Sequence, residues 1–163
     1  MNARLTTLTV LATALGGCAT TSTDSGNGAV AAAWQAHRSH VEVTASGSVA
    51  RVLGTRVGPS GAHEGFLLHL RGAEGRGLTI RVEDNVDLTG PIPLRAGDDV
   101  EVHGEYIFDP RGGLVHYTHR DPRGHHPSGY VRVGGRLYSE NLVGRRIQNT
   151  ASATILGRAV RHA

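Results

Sequence analysis

The chain has 163 residues, a formal net charge of +3, 39% hydrophobic and 19% charged residues. This is room for one ordinary domain with short extensions, which excludes two independent cores, and the balance excludes both the apolar-poor signature of disorder and a multi-span membrane protein. Glycine, at 23 residues, has roughly twice its average share while aromatics are 4%, so tight turns, short strands and a core of Val, Leu and Ile are expected.

The N-terminus carries one cation, Arg4, followed by an apolar, Thr-rich run from Leu5 to Gly17 that is too short to span a bilayer as a mature helix. It reads as a lipoprotein signal peptide over residues 1–17. Its end, Leu15-Gly16-Gly17-Cys18, resembles a lipobox, in which small residues admit the signal peptidase and the Cys18 thiol takes a diacylglyceryl group. Cys18 is the sole cysteine, so lipidation leaves the mature chain with no thiol for a disulfide or a Cys-bound metal. Residues 18–39, rich in Ala, Thr, Ser and Gly, read as the lipidated Cys and a flexible tether. An exported, cell-envelope lipoprotein is expected. The lack of an aspartate after Cys18 favours the outer membrane, facing the periplasm.

From about His40 the pattern alternates with period two. Val41, Val43, Val49, Val52 and Leu53 predict a long first strand bent at Gly47. Phe66, Leu68 and Leu70 predict a second strand and Leu78, Ile80 and Val82 a third, with Gly58-Pro59-Ser60-Gly61 and the glycines around residue 75 as loops. Pro91 and Pro93 exclude a long helix in the linker that follows. Val100 to Tyr106 is a fourth strand, and Asp109-Pro110-Arg111-Gly112-Gly113 turns it into a fifth at Leu114 to Thr118. Tyr130 to Val133 and Arg136 to Tyr138, joined by Gly134-Gly135, predict a C-terminal ribbon. The fold class is therefore all-β: a small OB-like five-stranded barrel over residues 40–139 with that ribbon added, and residues 140–163 as a tail. A two-sheet sandwich is the alternative, since periodicity defines strands and not closure.

Histidine is the compositional anomaly, with ten in the chain. His63 falls in the loop between strands one and two, and His116, His119, His125 and His126 follow strand four. Loops one-two and four-five of an OB barrel share one mouth, so His63, His116, His119, Asp121 and His126 are the candidate ligand or metal residues. His116, His119 and Asp121 would suit a transition metal such as Zn, because imidazole is a borderline ligand and a carboxylate can ligate or orient a ring. The structural alternative has Asp121 bonded within its own turn and the histidines bonded to backbone and carboxylates. Arg111 and Arg123 are anion candidates at the same mouth. Phe66 and Tyr117 read as core, which leaves few aromatics to stack bases and disfavours nucleic acid. Asp84, Asp87, Asp98 and Asp99 read as turn residues without chemistry.

Gly104-Glu105-Tyr106, Pro110-Arg111-Gly112-Gly113, His116-Tyr117-Thr118-His119, Asp121-Pro122-Arg123-Gly124, His126-Pro127, Gly129-Tyr130 and Gly135-Arg136-Leu137-Tyr138 together resemble the family catalogued as domain of unknown function 3465. Tyr117 and Tyr130 stand where that family usually has Trp. The resemblance implies that the histidine and aspartate set belongs to a family pattern, and it implies no activity or ligand. No nucleophile, base and orienter set is recognisable, so a binding or structural protein of the cell envelope is expected, its partners the membrane through Cys18 and a small ligand or an envelope protein. The alternatives are a metal-dependent hydrolase, on phosphoesters for instance, using the His/Asp cluster, and an interaction protein whose ribbon pairs with a partner's edge.

Overall fold

The computed structural model describes residues 26–72 and 76–140. Residues 1–17, Cys18 and nearly all of the 140–163 tail lie outside them. In chain order the elements are α1 (Asn27–Gln35), β1 (Val41–Gly58), β2 (Gly61–Leu70), β3 (Thr79–Asn85), α2 (Val86–Thr89), β4 (Asp99–Ile107), β5 (Leu114–His116), β6 (Tyr130–Val133) and β7 (Arg136–Tyr138).

Period-two alternation is carried into burial. Val43, Ala45 and Val49 of β1, Phe66, Leu68 and Leu70 of β2, Ile80 and Val82 of β3, Val100, Val102 and Tyr106 of β4 and Val115 of β5 all face one core. The sheet order is β1-β2-β3-β5-β4-β6-β7, and an additional β1–β4 pairing closes the first five into a ring. That is the expected OB-like topology, although the ring is not a regular barrel. β1 pairs β4 from Val41↔Tyr106 to Ser48↔Asp99, then β2 from Gly47↔Leu70 to Gly58↔Gly61. By contrast the parallel β3–β5 seam consists of Arg81↔Leu114 and Val82↔Val115. The expected ribbon is present, with β6 on β4 and β7 outermost.

Three features differ from the sequence reading. The tether assigned to residues 18–39 contains α1, whose Val30 and Ala33 belong to the core. Its apolar stripe is short and mostly alanine, so no hydrophobic periodicity announces it, yet alanine is the best helix former. The Asn27 side chain anchors it, donating to Ser46 O at 2.8 Å and Arg71 O at 2.6 Å and accepting from Ser46 N at 2.8 Å. The register shifts of β1 lie between Val49 and Arg51 and between Val52 and Gly54, beyond the bend expected at Gly47. And β3 runs on to Asn85, which continues the inward row Ile80, Val82 to Asp84.

The Gly-Glu-Tyr and Gly-Gly elements of the sequence meet in space. The Tyr106 side chain is fully buried, donates its hydroxyl to Gly112 O at 3.0 Å and lies over Gly113, where an added Cβ would come within 2.3 Å of the ring. Burial, with Asp109 nearby, pushes its phenol up to about 12, so the hydroxyl stays a donor. The β4–β5 hairpin is thus locked from below.

Gly113→Ala meets both this ring and a left-handed φ of 102°, and we expect it to destabilise the chain by more than about 2 kcal/mol. Gly134→Ala, at φ 55° with open space around it, should cost only the strain, about 1 kcal/mol. Urea unfolding of the two variants checks the ranking; equal costs would refute the Tyr106 lock.

Candidate functional site

The site begins with a buried carboxylate. Asp84, 0% exposed, accepts the Thr118 hydroxyl at 2.7 Å on Oδ1 and the Thr89 hydroxyl on Oδ2. Burial raises its pKa; the two threonine hydrogen bonds and nearby His63 act in the opposite direction without cancelling it. Directly across β2–β3 stands Glu64, also raised by burial and by the Asp84 charge, and lowered in part by the Ile92 N–H it accepts at 3.2 Å. Through Thr118, Asp84 ties the segment after β5 onto β3, and residues 117 and 119 flank that anchor.

Tyr117 adopts a left-handed φ of 54°, a conformation that costs a non-glycine residue about 1–2 kcal/mol. In it the phenol ring is held between two imidazoles. His116 stacks at a centroid distance of 4.0 Å and His126 at 4.1 Å, while His119 meets His126 edge-on at 4.8 Å. Tyr117 is 39% exposed and so is not a core residue, contrary to the expectation; leaving the strand after His116 turns it out of the period-two alternation. Phe66, at 0%, is core as expected.

His63, His116 and His119, together with Tyr117, Ser60, Glu83, Asn85 and Leu114, line one pocket of about 350 Å³. Three of the five expected residues thus border one pocket, but His116 and His119 come from β5 and the segment after it, not from the four-five loop. Each imidazole has its own partner, however. His63 Nδ1 lies 3.2 Å from Gly61 O, His119 Nδ1 lies 3.1 Å from Arg120 O, and His116 Nε2 lies 3.0 Å from Glu105 Oε1, which His40 Nδ1 also meets at 3.2 Å. Burial lowers the His119 pKa, its carbonyl bond and Asp121 opposing and His126 and His63 adding to the shift. The neutral ring then donates through Nδ1 and keeps Nε2 as an acceptor. For Glu105, burial alone raises the pKa, but the bonds from His116 and His40 outweigh it and hold the carboxyl below its ordinary value.

Asp121 is occupied by its own turn. Its Oδ1 accepts Arg123 N at 2.8 Å and its Oδ2 accepts His126 N at 3.0 Å and His125 N. Burial raises its carboxyl, and these three amides with His126 overcome that and bring it down to about 2. It does not line the pocket, and neither does His126, which borders it through the ring stack. The expected His116, His119 and Asp121 metal set is not assembled: among the described residues no three His, Cys, Asp or Glu side chains are grouped to hold a metal ion.

Arg111 forks onto Asp109 at 3.0 and 3.1 Å and lines a second cavity of about 700 Å³, beside the first. Arg123 lies in the exposed turn and lines neither. Sequence reasoning missed Asp84, Thr118, Ser60 and Asn85. For Asp84 a signal existed, because it continues the inward row of β3.

The molecule these features define is an all-β protein with an OB-like ring and a polar, histidine-walled pocket on the outer face of that ring. Its sequence matches, over residues 10–139, the family described as protein of unknown function (DUF3465), and the chain belongs to that family. No curated protein matches it.

Because Asp84 is raised, it is more readily kept protonated folded than unfolded. The stability this contributes is complete below the ordinary carboxylate pKa and is lost as pH rises through the raised value. Asp84→Asn cannot ionise, so its deficit against wild type should shrink as pH rises. Urea midpoints taken from about pH 4 to about pH 8 test this; a pH-independent gap would contradict it. Asp84→Ala, which strips Thr118 and Thr89 of their acceptor, should cost more than Asp84→Asn, about 1–3 kcal/mol at the acidic end of that range, with a deficit that shrinks in parallel as pH rises.

Proposed function

We propose that the protein is a lipid-anchored, periplasm-facing binding module of the cell envelope, which holds a small ligand on the outer face of its OB-like ring. The observation that carries the reading is the convergence of His63, His116 and His119 with Tyr117 on one pocket. That pocket opens where the β1–β2 hairpin and the segment after β5 adjoin, alongside His63 of β2 and Glu83 and Asn85 of β3; OB folds bind ligands across the face of strands two and three. It is furnished for recognition more than for reaction. The histidines are oriented by carbonyls and by Glu105, and the strained Tyr117 is clamped between rings, which is how a preformed site avoids ordering costs on binding. The anchor rests on the lipobox-like run ending at Cys18.

Native mass spectrometry of the full chain, extracted from the envelope in mild detergent, should reveal a bound small molecule. The doubly substituted His63→Ala/His119→Ala protein should lack it while keeping a cooperative unfolding transition. Ligand-free wild type, or equal occupancy in the variant, would overturn the pocket reading. Separately, Cys18→Ser should move the protein from the membrane to the soluble fraction; unchanged partition would defeat the anchor.

A further inference from the structure

A second built feature lies on the same outer face. The strand register sets Arg51 opposite Leu67, Leu67 opposite Arg81 and Arg81 opposite Leu114, a row of alternating guanidinium and leucine across β1, β2, β3 and β5. Outward leucines on a solvated strand face call for a cover. The row lines the cavity of about 700 Å³, to which the β1–β2 hairpin adds Arg56 and the β4–β5 turn adds Arg111. This is the size of a small-molecule site.

Charge separates this cavity from an ordinary groove. Four arginines face two carboxylates, of which Glu83 pairs with Arg81 and Asp109 with Arg111. The Arg51 and Arg56 side chains have no ion pair or hydrogen bond among the described residues, so the cavity carries two uncompensated cations beside an apolar floor. A guanidinium fork matches carboxylate and phosphate oxygens, and the leucines match a hydrocarbon body.

We propose that this cavity binds an anionic amphiphile: a molecule with a carboxylate or phosphate head held by Arg51 and Arg56, its apolar part lying across Leu67 and Leu114. This deepens the binding-module reading and rests on it for biological sense, but not for its test. The acidic head could belong to a free amphiphile or to a lipid in a bilayer, and the two sources separate experimentally.

Calorimetric titration of the full chain with decanoate below its micelle concentration, and with decyl phosphate, should show saturable binding. Decanol and inorganic phosphate, each carrying half of the recognition, should bind at least about tenfold more weakly. Arg51→Gln/Arg56→Gln should weaken decanoate binding by a similar factor and leave the unfolding midpoint unchanged, while His63→Ala/His119→Ala should bind decanoate as wild type does. Binding that survives the arginine substitutions but is lost with the histidines overturns this inference and leaves the pocket reading intact. Saturable binding of decanoate and decyl phosphate assigns the head to a free amphiphile, whereas binding only to phosphatidylglycerol vesicles, lost in the arginine variant, assigns it to a bilayer lipid; absence of both overturns the inference. Loss only in the arginine variant supports it even where the histidine pocket proves empty.

Discussion

Asp84 is the constraint on which the site depends. A carboxylate inside a ring of Val, Leu, Ile and Phe side chains is costly unless its oxygens are satisfied, and here two threonine hydroxyls supply the bonds. Thr118 and Thr89 come from different parts of the chain, so a single buried group holds the segment after β5 and the short α2 to β3. Hydrophobic packing alone, being without direction, would leave residues 117–119 free to choose their rotation. The Thr118 bond removes that freedom, and the ring stack around Tyr117 follows from it.

Much of this was legible in the sequence, for physical reasons that differ by region. Strands with one face in the core advertise themselves through period two, and the glycine turns separate them, so five ring strands and the ribbon are readable from the residues alone. Closure into a ring was an inference from the spacing, and the β1–β4 pairing bears it out. α1 was hidden because alanines bury without contrasting with their neighbours. Asp84 was hidden because an aspartate after a strand usually means a turn, and residue type outweighed position in the pattern. The arginine and leucine row could not be seen at all, since it exists only through register across four strands.

The two cavities share Glu83 and Leu114 and so form one continuous surface on the outside of β1, β2, β3 and β5. Their chemistry is divided. The smaller is walled by imidazoles and neutral polar groups, the larger by guanidinium and leucine. Glu83 stands at the boundary, its carboxylate engaged by Arg81.

The 18-residue β1 has two partners that become available at very different times. Its far half hairpins onto β2 across a tight turn, and β3 can join at once, a local meander that forms early. Its near half must wait for β4, some sixty residues downstream in the pairing of Val41 with Tyr106. Until that strand arrives, the sheet is open along an edge that carries Val43 and Ala45, so topology makes the long-range zipping of β1 onto β4 the expected slow step of acquiring this structure. The interval before it is when the chain is most exposed to wrong pairing with another copy of itself.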